Sequence, residues 1–185
     1  MTRPAKALQT ELIEAIPNLR AFAMSLCGNA TRADDLVQEA LVKAWDKQAT
    51  FQEGTNLKAW LFTILRNIYF SEQRKRKREV EDVDGHLTAG LSVAASQLSH
   101  MDFADFLAAL QTLPADQREA LILVGAEGFS YEEVAAISGA AVGTIKSRVN
   151  RARRRLAELL QLDVSESALQ ETMFSALDPS RQPSR

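Results

Sequence analysis

The chain has little that would cross-link it and little that would catalyse. Its 185 residues include one cysteine, Cys27, so neither an internal disulfide framework nor a cysteine-based zinc site can form. The two histidines, His86 and His100, lie in or beside one weakly patterned stretch, without ligand spacing. No Gly-rich phosphate loop and no nucleophile motif occurs. No apolar run approaches the ~20 residues of a membrane span. The start, MTRPAKALQTELIEAIP, lacks the continuous apolar stretch of a signal peptide. These absences imply a soluble cytoplasmic protein that is not an enzyme and needs no metal or cofactor. Net charge is scarce as well: 22 Lys and Arg against 24 Asp and Glu leave −2, a balance that taken alone argues against a nucleic-acid binder. The length suits one ordinary domain or two small ones.

The balance is a cancellation. Residues 66–78 carry six basic side chains (Arg66, Arg74, Lys75, Arg76, Lys77, Arg78) and one acidic, Glu72, while residues 146–155 carry six basic and no acidic ones. These two strips hold 12 of the 22 cations, whereas residues 79–145 hold one basic side chain, Arg118, and eleven acidic. One basic run reads equally well as a solvated helix end. Two runs, each on a helix with a suitable partner pattern, favour phosphate-contacting surfaces.

Apolar residues recur at three- and four-residue spacing and no sustained two-residue alternation appears, which predicts an all-α chain of two small helical domains. A first helical stretch over about 6–27 is expected to break near Pro17 and to end at Gly28-Asn29. The next helix is expected to open at Thr31, with Asp34 as a weak capping-box partner, and to bury Leu36, Val37, Ala40, Leu41, Ala44 and Trp45. After the loop QATFQEGTN, Asn56 is a plausible N-cap for a helix running to about Arg78. Leu57, Trp60, Leu61, Ile64, Leu65 and Ile68 form its predicted buried stripe. Residues 1–78 thus make one domain. Residues 79–100 read as a linker, or alternatively as a short tethering helix. Residues 101–162 make a second domain, and 163–185 a tail with one short amphipathic stretch (Val164, Leu169, Met173, Phe174, Leu177) and a disordered end.

The second domain contains a helix-turn-helix pattern. Pro114 suits the first turn of a helix ending near Gly128. Ser130 and Glu133 make a capping box, Val134 and Ile137 face inward, and Gly139 stands where a helix end needs positive φ. In the following helix Ile145, Val149, Ala152, Leu156 and Leu160 share one face. Lys146, Ser147, Asn150, Arg151 and Arg154 share the other, with Arg148 and Arg155 at the boundary. No acidic residue lies between Gly143 and Leu156 to lace these cations. A donor-rich face over a dry one suits a major groove, where Arg and Lys donate to guanine and Asn pairs with adenine, while flanking arginines hold phosphates.

In the first domain Trp60, Phe62, Tyr69 and Phe70 precede RKRKR. Aromatic faces stack on unpaired bases and nearby cations hold the backbone. Trp60 shares a face with the apolar stripe and is expected in the core. Phe62 lies off it and is the better candidate for exposure. Phe51, Gln52, Glu53 and Asn56 in the loop can shape a pocket. Asp34, Asp35 and Glu39 read as a solvated face rather than a metal site, with no histidine near in sequence.

These segments together resemble the extracytoplasmic-function (ECF) sigma factors of bacterial RNA polymerase, over roughly residues 10–162. TRADDLVQEALVKAW resembles the region-two polymerase-binding helix, KAWLFTILRNIYFSEQRKRKR the promoter −10 segment, and LPADQREALILVGAEGFSYEEVAAISGAAVGTIKSRVNRARRRL the −35-reading region four. Within the family the chain most resembles the EcfG type of the alphaproteobacterial general stress response. The resemblance implies that Asp34, Asp35, Gln38 and Glu39 dock on the polymerase clamp helices. It implies that Phe51 and Asn56 help hold a flipped −10 base, and that Lys58, Arg66, Asn67, Arg74, Lys75 and Arg76 guide the melted strand. Lys146, Ser147, Asn150 and Arg151 then read −35 bases, with Arg148 and Arg154 on phosphates. Ile145 and Asn150 stand where the family varies, which leaves the preferred bases open. Implied partners are core RNA polymerase, promoter DNA and an anti-sigma factor of the NepR type, with no membrane and no obligate homo-oligomer. Two readings compete: an adaptor that mimics the sigma shape and binds only the anti-sigma factor, and an ordinary helix-turn-helix repressor. The first needs neither basic strip, and the second leaves the first domain idle.

Overall fold

A computed structural model describes residues 5–52, 54–81 and 103–160 of the chain. Seven α-helices follow one another among them, with no strand: α1 (Ala5–Cys27), α2 (Ala30–Asp46), α3 (Leu57–Glu81), α4 (Phe103–Gln111), α5 (Ala115–Gly125), α6 (Tyr131–Ser138) and α7 (Val142–Leu160), plus a 3-10 turn at Gln48–Thr50. They divide into two compact units. The first gathers α1 as far as Ala23 with α2 and α3, and the second gathers α4 to α7 with the last turn of α1. Most of the expected linker and all of the expected tail, with His86 and His100, lie outside the described residues, as does Glu53. The first three linker residues, 79–81, belong to α3.

In the first unit, Leu8, Leu12, Leu19, Phe22 and Ala23 of α1 are buried. So are Ala33, Leu36, Val37, Ala40 and Ala44 of α2, and Leu61, Phe62, Leu65, Ile68 and Tyr69 of α3. α2 and α3 pack against each other, and the rings of Phe22 and Phe62 lie 4.9 Å apart. Four expectations are corrected here. α1 runs unbroken through Pro17. The carbonyl that Pro17 leaves without its helical donor belongs to Ile13, an exposed residue, so that carbonyl can be hydrated while buried residues on both sides hold the helix. α2 begins before Thr31, because Gly28 (φ 67°) reverses the chain and Asn29 caps the helix, its Oδ1 accepting from the Arg32 N–H at 2.9 Å. Phe62 is fully buried, and the stripe 61, 62, 65, 68, 69 is rotated from the expected one, leaving Leu57, Trp60 and Ile64 half-buried. Trp45, expected in the core, is exposed, as is its neighbour Val42.

The second unit follows its pattern closely. α5 ends at Gly125, three residues before the expected Gly128, whose φ of 73° turns the chain toward α6. The capping box forms: the Ser130 hydroxyl accepts from the Glu133 N–H at 3.1 Å, and Glu133 Oε2 accepts from the Ser130 N–H at 2.9 Å. Gly139 adopts φ 64°, ψ 35°. α7 packs on α5 and α6 through Ile145, Val149, Ala152, Leu156 and Ala157, and Leu160 is half-buried. Full burial of each large member contributes about 1.5–3 kcal/mol, enough to fix the helix against its unit. Beneath it, Arg118 donates to the Leu110 carbonyl at 3.2 Å, and the fully buried Glu119 accepts from the Ser138 hydroxyl at 3.2 Å.

Candidate nucleic-acid and polymerase interfaces

On α7 the core face fixes the opposite one. Lys146, Asn150, Arg151 and Arg154 are exposed, and Ser147 and Arg148 are half-buried beside them. Three of the six have partners that orient them. Arg151 Nη2 donates to Ser147 Oγ at 2.6 Å, one helical turn away. Lys146 Nζ stands 5.7 Å from the centre of the Tyr131 ring on α6, within cation–π range. Arg148 Nε pairs with Asp116 Oδ2, at the start of α5, at 2.9 Å. The sequence pattern showed the cations, but not that α5 and α6 hold two of them. Asp116 and Tyr131 are therefore residues that sequence reasoning missed.

The candidate −10 residues are spread along the loop and α3. Phe51 is half-buried, its ring 5.2 Å from that of Trp60. Asn56 caps α3, its Oδ1 accepting from the Ala59 N–H at 3.1 Å. Lys58 Nζ lies 5.6 Å from the Phe62 ring centre. Arg66 lies over the Phe70 ring at 4.7 Å and donates to Asn67 Oδ1 at 3.2 Å. Arg74, Lys75 and Arg76 are exposed, and Lys75 Nζ lies 3.8 Å from Glu79 Oε1, one helical turn on.

Asp34, Asp35, Gln38 and Glu39 all lie on the side of α2 away from Ala33, Leu36, Val37 and Ala40. The acids are not a bare negative face. Asp34 takes Arg20 Nε at 2.6 Å, Asp35 lies 3.9 Å from Arg32, and Glu39 takes Lys43 at 2.7 Å. Arg32 is also paired with Glu72 of α3. The hydrogen bond to Asp34 raises the Arg20 pKa, partly offset by burial. The Arg32–Asp35 and Glu39–Lys43 pairs sit at helical spacing and so were present in the sequence. The Arg20–Asp34 pair spans two helices and had no local signal. No cluster of metal-ligating side chains occurs among the described residues, and none of their helices is long and apolar enough to cross a membrane.

Two helical units, one with a capped helix-turn-helix and a cationic second helix, have the build of a DNA-binding protein. The family models agree: Sigma-70 region 2 matches residues 12–79, and Sigma-70, region 4 matches residues 103–156. The ECF RNA polymerase sigma factor EcfG of Rhodopseudomonas palustris (strain TIE-1) is 60% identical over 160 residues, 86% of this chain and 88% of that protein. The sigma factor RpoE of Bartonella quintana, solved with the anti-sigma factor NepR, is similar at TM-score 0.76 and 56% identity, covering 86% of this chain and 99% of that one. CnrH, solved with the cytosolic domain of CnrY, is similar at TM-score 0.57 and 25% identity, covering 84% and 86%. The chain belongs to the ECF RNA polymerase sigma factors, which direct RNA polymerase to promoters.

Proposed function

We propose that this sigma factor serves a general stress response in the cytoplasm, as a specificity subunit without chemistry of its own. Polymerase makes the RNA. In this reading residues 1–78 dock the clamp helices and take the −10 element, 79–100 tether, and 101–162 read the −35 element. The observation that carries it is α7: an exposed donor face, already oriented, on a helix whose other face is locked in a core.

Lys146, Ser147, Asn150 and Arg151 face the bases, with Arg148 and Arg154 toward phosphates. Phe51 and Asn56 border the flipped −10 base, and Lys58, Arg66, Asn67, Arg74, Lys75 and Arg76 follow the melted strand. Asp34, Asp35, Gln38 and Glu39 meet the polymerase, exchanging Arg20, Arg32 and Lys43 for the partner's cations. The exposed Val42 and Trp45 add apolar contact on the same helix. Two weak DNA contacts on one chain reinforce each other through effective concentration. The inhibitor expected is a NepR-type anti-sigma factor, on the strength of the 56% identity to the Bartonella quintana RpoE solved with NepR.

The test is run-off transcription by core polymerase on a promoter library, with and without the protein. Initiation should appear at a defined promoter class, and Arg151→Ala should lower it roughly tenfold or more, in line with about 1–3 kcal/mol for a lost bidentate base contact. Polymerase binding should be unchanged in that variant. No gain in initiation from the wild type would favour the adaptor reading instead.

A further inference from the structure

We propose that Asp116 restrains the electrostatic affinity of α7 for duplex DNA: by neutralising Arg148 it withholds one positive charge from the DNA-facing side of the helix and so limits binding to non-promoter duplex. The proposal rests on the reading of α7 as the −35 helix and adds a residue from another helix to it.

The geometry separates two kinds of partner on this helix. Arg151 and Lys146 are oriented by neutral groups, the Ser147 hydroxyl and the Tyr131 ring, and so keep their full charge. Arg148 is held by a carboxylate, Nε to Oδ2 at 2.9 Å. Asp116 is itself fixed, because its Oδ1 accepts from the Gln117 N–H at 3.0 Å in the first turn of α5, where a helix end favours a negative group. The pair is not sealed in the core. Arg148 is 23% exposed and Asp116 43%, so a duplex lying along α7 meets a pair with no net charge.

That matters because the two modes of DNA binding depend on charge differently. Non-specific affinity comes almost wholly from counterion release, and scales with the number of cations that reach phosphates. Promoter affinity adds base contacts from side chains whose charge is intact here. Cancelling Arg148 therefore lowers the electrostatic part of both modes alike; the promoter mode keeps its base contacts, while the non-specific mode has nothing else to hold it and is weakened below useful occupancy. The sequence carries the same device at larger scale, with 12 cations in two strips and eleven acidic side chains between. Asp116 belongs to that acidic stretch, and the fold brings it to the second strip.

The test uses the full chain and a random-sequence duplex, titrated by fluorescence anisotropy over a series of salt concentrations. Asp116→Asn keeps the Oδ1 acceptor for Gln117 and removes the charge together with the second oxygen that takes Arg148. It should bind the random duplex roughly fivefold to tenfold tighter near 0.1 M salt, with a log–log salt slope steeper by about one. In an Arg148→Gln background the same substitution should leave the salt slope unchanged and give a clearly smaller gain in affinity, from relief of repulsion alone. Asp116→Glu should behave as the wild type. Unchanged or weaker binding by Asp116→Asn, or a gain and slope change that survive Arg148→Gln undiminished, overturns the proposal. Arg151→Ala on a promoter duplex separates the two readings. If it has no effect, the −35 assignment itself fails. If it weakens binding while Asp116→Asn leaves the random duplex unaffected, only the restraint fails.

Discussion

The basic run of α3 projects beyond the core of its unit, whereas the basic run of α7 lies on top of one. From Arg74 to Glu79 every side chain is exposed, and no apolar stripe continues under them. In α7 the cations alternate with Val149, Ala152 and Leu156, each fully buried. A cation on an overhanging helix end can follow a flexible backbone but cannot select a base, since nothing fixes its distance to a base edge. A cation on a packed helix, oriented by a neighbour, can do both. The two strips carry the same number of cations, so support rather than charge distinguishes them, and under the proposed roles it would separate strand guidance from sequence reading.

An aspartate placed in each helix, in the core beneath one strip and on the overhang of the other, tests this most severely. Val149→Asp buries an uncompensated charge and should cost about 3–5 kcal/mol. The second unit should lose its cooperative thermal transition in circular dichroism, and −35-dependent transcription should disappear. Lys75→Asp, on the overhang, should change stability by no more than about 0.5 kcal/mol. Equal destabilisation by the two would end the comparison. A smaller effect sharpens it. Replacing Arg74, Lys75 and Arg76 together by Gln should make open-complex stability less salt-sensitive, with a slope shallower by about two at roughly 0.7 per charge on single strands. The loss should be similar across promoters, measured as open-complex lifetime with core polymerase at several salt concentrations. A loss that depends on promoter sequence would mean that the overhang reads bases.

The same contrast explains what could be read in advance. The helix-turn-helix was legible because its determinants are local: Ser130 with Glu133, Gly139 at positive φ, and Ile145, Val149, Ala152 and Leu156 at helical spacing. In the first unit a stripe could be recognised on α3 but not its centre, which is set by helices on two sides, and so Phe62 was misplaced. Trp45 was misplaced for a similar reason: α2 still packs at the fully buried Ala44, but the buried stripe Ala33, Leu36, Val37, Ala40 and Ala44 is centred away from position 45. Pro17 was misread because local sequence does not show that the Ile13 carbonyl it leaves unbonded faces solvent, while buried residues on both sides hold the helix together. The candidate contact residues lie on exposed or half-buried positions, but their partners do not follow from spacing. Arg20 and Asp34 meet across two helices, as do Tyr131 with Lys146 and Asp116 with Arg148. Such pairs are properties of the fold, and they decide which charges remain available.

Ser147 gives the finest division of support from contact. As a base reader it would act directly, yet its hydroxyl accepts from Arg151 at 2.6 Å and so orients the stronger reader. Removing that hydroxyl in Ser147→Ala forfeits one hydrogen bond to a cation, about 0.5–1.5 kcal/mol for an ordinary bond and somewhat more when one partner is charged. Discrimination between matched and mismatched −35 duplexes should therefore fall several-fold, less than for Arg151→Ala. The double variant decides the role. If Ser147 works only through Arg151, Ser147→Ala in an Arg151→Ala background should cost nothing further, a coupling as large as the single effect. If it meets a base itself, the second loss should add in full. Discrimination ratios from competition binding, taken for the wild type, both single variants and the double variant at one salt concentration, distinguish a side chain that reads from one that holds the reader in place.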